Sequence, residues 1–138
     1  MKKITINCNL KYVKSKGGMI IRKIKFNNCV YKLYVSTYPD NRMCLRLKNK
    51  NNVYEITQYL PDAFIGTDDV LISPEMEELG IIRLLKKERI IRKIISVYNY
   101  NYVSFPVAKL NMGKLREYDL NGVLSYQETL MNVQEGCK

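Results

Sequence analysis

The chain contains no histidine and no tryptophan. Without histidine there is no Ser-His-Asp or Cys-His nucleophile arrangement, and the usual zinc-hydrolase ligand sets cannot be assembled. The four cysteines are Cys8, Cys29, Cys44 and Cys137, and no two form a Cys-x-x-Cys pair. Only an all-cysteine zinc site would remain, and this spacing does not build one. The cysteines read as free thiols, most of them small core residues in a reducing compartment. Neither Gly-x-x-x-x-Gly-Lys nor Gly-x-Gly-x-x-Gly occurs, so no glycine-rich loop is present to cradle a nucleotide phosphate. Asp68-Asp69 and Glu75-Glu77-Glu78 are the densest carboxylates, but they lack the spacing of a calcium loop. They read as a solvated loop and as the acidic first turn of a helix. A protein without catalytic turnover and without cofactor or metal is expected.

Long apolar runs are also absent: none approaches the roughly 20 residues that cross a bilayer. The N-terminus, Met1-Lys2-Lys3-Ile4-Thr5-Ile6, is basic and then alternating, unlike a signal peptide, and reads as a first strand of a cytoplasmic protein with no membrane partner. No repeat and no Pro/Gly/Ser-rich linker interrupts the chain. Its 138 residues, 46% of them apolar, suit a single domain spanning 1–138 with its own core. The stretch 111–138 is expected as a loosely packed tail.

What is present is charge, in blocks. Residues 1–50 hold thirteen Lys/Arg and one acid, whereas residues 51–82 hold seven acids and no base. Residues 83–116 hold nine bases and one acid, and the remainder is again acidic. The net charge is +10, and such blocks can give one cationic and one anionic face.

Periodicity supplies the elements. Residues 14–18 read as a turn. Residues 19–26 and 29–38 are rich in Ile, Val, Tyr and Phe and flank Asn27-Asn28, a pair that tolerates the positive φ of a two-residue hairpin turn. In the second of these strands Cys29, Tyr31, Leu33 and Val35 share one face, and Val30, Lys32 and Tyr34 the other. After the turn Tyr38-Pro39-Asp40-Asn41, residues 42–48 place Met43, Leu45 and Leu47 inward and Arg42, Cys44, Arg46 and Lys48 outward. A hairpin at 49–52, a strand at 53–60 and a short strand at 70–72 follow. Ser73-Pro74-Glu75 opens the main helix, with Met76, Leu79, Ile82 and Leu85 at helical spacing and Lys86-Lys87 in its last turn. Residues 90–98 and 102–110 return to strand, and residues 124–133 suit a short helix. The fold class is α+β: an antiparallel meander with one main α-helix packed on one face.

Within these elements several stretches look familiar. They are Asn41-Arg42 before an alternating strand, Tyr54-Glu55-Ile56-Thr57 running into Tyr59-Leu60-Pro61-Asp62, the helix 78–87 with Gly80, and Phe105-Pro106-Val107-Ala108-Lys109-Leu110. Across residues 29–112 the chain resembles a family of small uncharacterised proteins carried on mobile elements of Gram-positive bacteria. It departs from that pattern in its cationic N-terminal extension, its acidic-to-neutral tail and Ala108, where the pattern has cysteine. The resemblance implies an accessory gene of a plasmid, transposon or prophage and transfers no catalytic residue.

Two binding functions fit. In the first, the partner is nucleic acid. Lys11, Lys14, Lys16, Arg22, Lys23 and Lys25 form one basic group, and Arg83, Lys86, Lys87, Arg89, Arg92 and Lys93 a second. Lys and Arg hold phosphates without reading sequence. Tyr98, Tyr100 and Tyr102 alternate with Asn99 and Asn101, and in a strand their rings would share one face as a stacking platform for single strands. The bland counterpart is a solvated, lysine-guarded sheet edge. In the second, the partner is a host protein, with the acidic segment 55–78 mimicking phosphate charge in an anti-defence inhibitor. Protein purified from cells should contain no stoichiometric zinc or iron by elemental analysis. One bound metal per chain would contradict the reading of the four cysteines as free thiols.

Overall fold

A computed structural model of the chain describes residues 12–14 and 20–136. The expected first strand, the turn at 15–18, Lys11, Lys16, Cys8 and Cys137 lie outside the described residues, as does the side chain of Lys14. Strands β1 (Tyr12–Lys14) and β2 (Ile20–Arg22) form an antiparallel pair. Strands β3 (Ile24–Phe26), β4 (Cys29–Thr37), β5 (Met43–Lys48) and β6 (Val53–Glu55) form a four-stranded antiparallel sheet in that order. The Asn27-Asn28 turn has φ of 51° and 63°, so asparagine supplies the left-handed pair that a tight hairpin needs.

Strand β7 (Asp69–Leu71) is followed by helices α1 (Pro74–Glu78) and α2 (Ile81–Lys87), then by strands β8 (Ile91–Tyr100) and β9 (Val103–Leu110). The order in this second large sheet is β7-β9-β8, again antiparallel, so its strands are not laid down in chain order. Helices α3 (Met112–Leu115) and α4 (Leu120–Gly136) complete the chain. The protein is therefore α+β with antiparallel sheets.

Four differences from the sequence reading have physical causes. The expected main helix is two short ones, because Gly80 adopts φ +87° and ends α1 in a left-handed cap before α2 restarts. The longest helix is instead α4, 17 residues at the end of the chain. The stretch read as a loosely packed tail buries Leu115, Tyr118, Val123 and Tyr126 in the main core. The expected strand 53–60 shortens to β6, because its backbone then leaves the first sheet and crosses to the second: Thr57 bridges Ile72, and Gln58 N–H donates to the Leu71 carbonyl.

The core explains the register. Tyr31, Leu33 and Val35 of β4 face inward opposite Leu45 and Leu47 of β5, and both leucines are fully buried. Cys29 is exposed, being at the strand's start beside the turn. Cys44, on the outward face of β5, is nonetheless buried beneath Tyr38, whose ring stacks on Tyr59 at 4.8 Å. Strand β9 is buried on both faces: Ala108 and Leu110 belong to the main core, and Phe105 and Val107 to a second cluster with Ala63 and Leu71. Pro106 is tolerated in this central strand, where its carbonyl accepts from Ile72 N–H.

Helix α4 is tied to β4 by one carboxylate. Asp119 Oδ1 accepts from Gly122 N–H at 3.1 Å, and Oδ2 accepts from Val35 N–H at 2.9 Å. Gly122 permits this approach: a Cβ there would lie 2.5 Å from the Val35 carbonyl oxygen. Gly122→Ala should therefore destabilise by about 1–3 kcal/mol through overpacking, and Leu45→Ala by about 2–5 kcal/mol through an unfilled core cavity. Urea unfolding measures both. A change below about 0.5 kcal/mol in either would place that residue at the surface and refute the packing described.

Candidate nucleic-acid interface

The register of the four-stranded sheet decides which cations meet. Outward residues of β4 are Val30, Lys32, Tyr34 and Ser36, since Tyr31, Leu33 and Val35 point to the core. Pairing sets Lys25 beside Val30, Lys48 beside Lys32, Arg46 beside Tyr34, and Glu55 beside Arg46. The outer face thus carries Lys25, Lys32, Arg46 and Lys48, the last three beside the Tyr34 ring.

Lys32 and Lys48 are directly opposite each other, an arrangement that like charges normally disfavour. Both ammonium groups approach the Tyr34 ring, Lys32 Nζ at 4.3 Å and Lys48 Nζ at 4.9 Å from its centroid. The negative face of the ring partly offsets their repulsion. Among the described residues, Glu55 is the acid that this face holds, and it is engaged by Arg46 at 3.5 Å and by the Tyr38 hydroxyl at 2.6 Å. Burial, and then the Glu55 carboxylate, push the Tyr38 phenol upward, so it stays protonated and donates. The Asn49 side chain accepts from Asn51 and Asn52 N–H, shaping the adjacent loop that exposes Lys50.

The residues named from sequence fall elsewhere. Arg83, Lys86 and Lys87 of α2 are exposed, as are Arg89, Arg92 and Lys93 around the α2–β8 turn. Lys86 and Lys87 also answer the negative end of the α2 dipole. Arg89 sits at φ +65°, with Arg89 N–H on the Lys86 carbonyl and Ile90 N–H on the Leu85 carbonyl. This is a left-handed helix cap, where glycine is the usual residue.

Arg22 reaches the same region from β2. It pairs with Glu117 at 3.5 Å and lies beside the Tyr118 hydroxyl, which donates to Glu88 at 3.0 Å. Lys23 is half-buried between β2 and β3, and Lys25 is exposed on the outer sheet face rather than with Arg22. The first basic block is therefore divided between two regions.

The three tyrosines do not share a strand face. Tyr102, with φ 65°, occupies the two-residue turn between β8 and β9 together with Asn101. Hairpin closure needs two left-handed residues there, which ends β8 at Tyr100. Tyr98 is half-buried against the second cluster, and Tyr100 is exposed at the far end of β8. Eight residues along a strand place Tyr100 about 27 Å from Arg92, so the rings stand apart from that basic group.

Of the acidic segment, Glu55 and Asp69 have partners inside the fold, with Asp69 accepting from Gly66 N–H and from Lys109 Nζ. Glu75, Glu77 and Glu78 are exposed on α1. Among the described residues no three His, Cys, Asp or Glu side chains come together, and no helix is long and apolar enough to cross a membrane. The grooves are shallow, one of about 160 Å³ between Arg42, Gly66 and Tyr126 and one of about 350 Å³ between Phe64 and Val97. Sequence reasoning had placed Lys32, Tyr34 and Lys48 outward but had not joined them, because only strand register puts the two lysines opposite each other.

No family model, curated protein or solved structure matches this chain. The fold and this face define an antiparallel α+β protein with an aromatic-centred cationic sheet surface.

Burial, and then Glu88, hold the Tyr118 phenol up at about 12, and burial with Asp68 and Asp69 does the same for Tyr126, also to about 12. Unfolded, each would ionise near its ordinary value of 10.0. The native state then keeps protons that the unfolded chain loses. This contribution is complete below about pH 10 and is lost as pH rises through about 12. Urea midpoints should fall across that window, and Tyr118→Phe should flatten part of the fall. An unchanged slope in that variant would show that Tyr118 titrates as in the unfolded chain.

Proposed function

We propose that the protein is a non-catalytic binding protein that holds the phosphate backbone of nucleic acid, without sequence preference, on the outer face of β3–β6. The setting is that implied by the resemblance, an accessory gene of a mobile element. The observation that carries the reading is the directly opposed pair Lys32 and Lys48 over the Tyr34 ring, flanked by Lys25 and Arg46. Two like charges held together gain most when an anion lies between them, and a phosphate supplies one. The ring between them offers a surface on which an unpaired base can stack. Arg89, Arg92 and Lys93 form a second contact region, in keeping with an extended polyanion as ligand. Arg89 supports this because it occupies a left-handed cap that favours glycine, against its own backbone preference.

Fluorescence anisotropy with labelled oligonucleotides at low and physiological salt tests the reading. Affinity should fall steeply with salt, since each neutralised phosphate releases counterions. The Lys32→Gln, Lys48→Gln double variant should weaken binding uniformly across sequences and reduce the salt slope by about 2. Arg89→Gly with Arg92→Gln and Lys93→Gln should also weaken it, with Arg89→Gly leaving stability within about 1 kcal/mol of the parent. Tyr98→Ala with Tyr100→Ala should affect single strands more than duplexes if those rings stack on bases. No binding at low salt would remove nucleic acid as the partner and leave a host protein, met by the exposed acids of α1, as the better reading.

A further inference from the structure

Strand β8 is the edge of its sheet, and among the described residues no strand pairs with its outer side. The edge is not uniform. Its first half is guarded: Arg92 and Lys93 are exposed, and the pairing with β9 is interrupted between Ile91 and Lys93 and between Ile94 and Ser96. Charges and bulges are the ordinary devices that keep an edge from pairing. From residue 96 to residue 100 neither device is present. Pairing with β9 runs without interruption through Tyr98↔Phe105 to Tyr100↔Val103, and the residues are uncharged.

The two-residue turn fixes which main-chain groups are available. Tyr100 and Val103 flank it and exchange hydrogen bonds, so Tyr98 and Ser96 also point their amides at β9. Val97 and Asn99 therefore direct N–H and C=O to the open edge. Pro106, directly opposite Val97, fits this alternation, since it has no N–H to offer. Around the free segment the side chains are apolar and exposed: Val97 by 54%, Tyr100 by 43%, Val103 by 40%, and Tyr102 and Phe64 completely. That is an unusual concentration of large apolar groups on one margin of a small protein.

We infer that this margin is a self-association edge, where a second copy of the chain adds its own β8 antiparallel through residues 96–100 and makes one six-stranded sheet of two copies. Antiparallel pairing about Tyr98 sets Val97 against Asn99 of the second copy, so all four outward amide and carbonyl sets find partners. It also sets the two Tyr98 backbones opposite each other, with Ser96 facing Tyr100. The bulged, cationic halves fall outside the paired segment. Lys93 of one copy and Lys93 of the other end about 34 Å apart, ten residue steps, which is several screening lengths at physiological salt. A parallel arrangement would stack Arg92 and Lys93 on their own copies and is disfavoured. The outward groups of Val97 and Asn99 are thus self-complementary between two copies, and charge segregation along β8 leaves one orientation for them. The inference does not rest on nucleic-acid binding, although Arg92, Lys93, Tyr98 and Tyr100 of β8 enter both readings.

The net charge of +10 on each copy opposes association over the rest of the surface. Dimerisation should therefore strengthen as salt rises, the reverse of nucleic-acid binding. Sedimentation equilibrium of the full chain at low and high salt should show a mass rising with concentration toward twice that of the chain, at lower concentration in high salt. Val97→Pro removes one outward N–H and leaves the β9 ladder intact, and should raise the concentration for half-dimerisation at least about tenfold. Because proline could disturb β8 itself, Tyr98→Cys gives an independent readout. Its two thiols would face each other at a Cα separation near 4.5 Å, within disulfide reach, whereas Arg92→Cys would not cross-link through that position. Mild oxidation followed by peptide mapping should find the symmetric link in the first variant and not in the second. A mass that stays monomeric at all concentrations and salts, or cross-linking equal at both positions, would overturn the inference.

Discussion

One carboxylate fastens the last helix to the first large sheet. Val35 N–H lies on the side of β4 that β3 does not reach, because β3 pairs only as far as Tyr31. A donor there, on a strand whose side chain is in the core, would otherwise be unsatisfied, at about 1–3 kcal/mol. Asp119 Oδ2 accepts from it while Oδ1 caps the first turn of α4. Both hydrogen bonds are charge-assisted and both donors are backbone. Gly122 completes the arrangement by letting helix and strand backbones approach. With α4 against the inner side of β4, Val123 and Tyr126 close the core, and the opposite side of the sheet is left to water.

That division determines where the cations can act. The inner residues of β4 and β5 are fixed by burial, so Lys32, Tyr34, Arg46 and Lys48 have no choice but the outer face. The two large sheets are joined where the chain after β6 crosses between them. Buried Thr57 bridges Ile72, while its hydroxyl accepts from Leu45 N–H and bonds the Tyr38 hydroxyl. Arg42 secures the following loop by donating to the carbonyls of Leu60 and Pro61. The acids of this stretch closest to the junction, Glu55 and Asp69, are consequently occupied by structural partners.

Two of the local preferences that the fold overrides involve cations, whereas Tyr102, also left-handed at φ 65°, closes the β8–β9 turn. Lys32 and Lys48 are directly opposed on a sheet, and Arg89 occupies a left-handed cap. Neither choice favours stability, since opposed charges repel and a Cβ is strained at that φ. Departures from local consistency concentrate where a surface serves a purpose other than folding. They support the proposed reading of these cations as phosphate contacts.

Much of the local structure was legible from composition and period. Asn27-Asn28 announced a left-handed turn, alternation in residues 29–35 and 42–48 announced an inward Leu33, Leu45 and Leu47, and Ser73-Pro74 announced a helix start. These features depend on neighbours within a few residues, where φ preference and side-chain direction act. Gly80 was equally visible, but whether a mid-helix glycine bends, caps or is tolerated depends on what packs around it. Asp119 was one acid among four near the end of the chain, and only the approach of α4 to β4 gives it two donors. The tyrosines at 98, 100 and 102 alternate in sequence, yet hairpin closure takes Tyr102 out of the strand. The sequence by itself therefore determined the turns, the faces of the strands and the absence of histidine chemistry. Tertiary structure alone decided which cations stand opposite each other, which acids are already engaged and which strand edge is left open, because register and strand order are set by long-range pairing that no local pattern encodes.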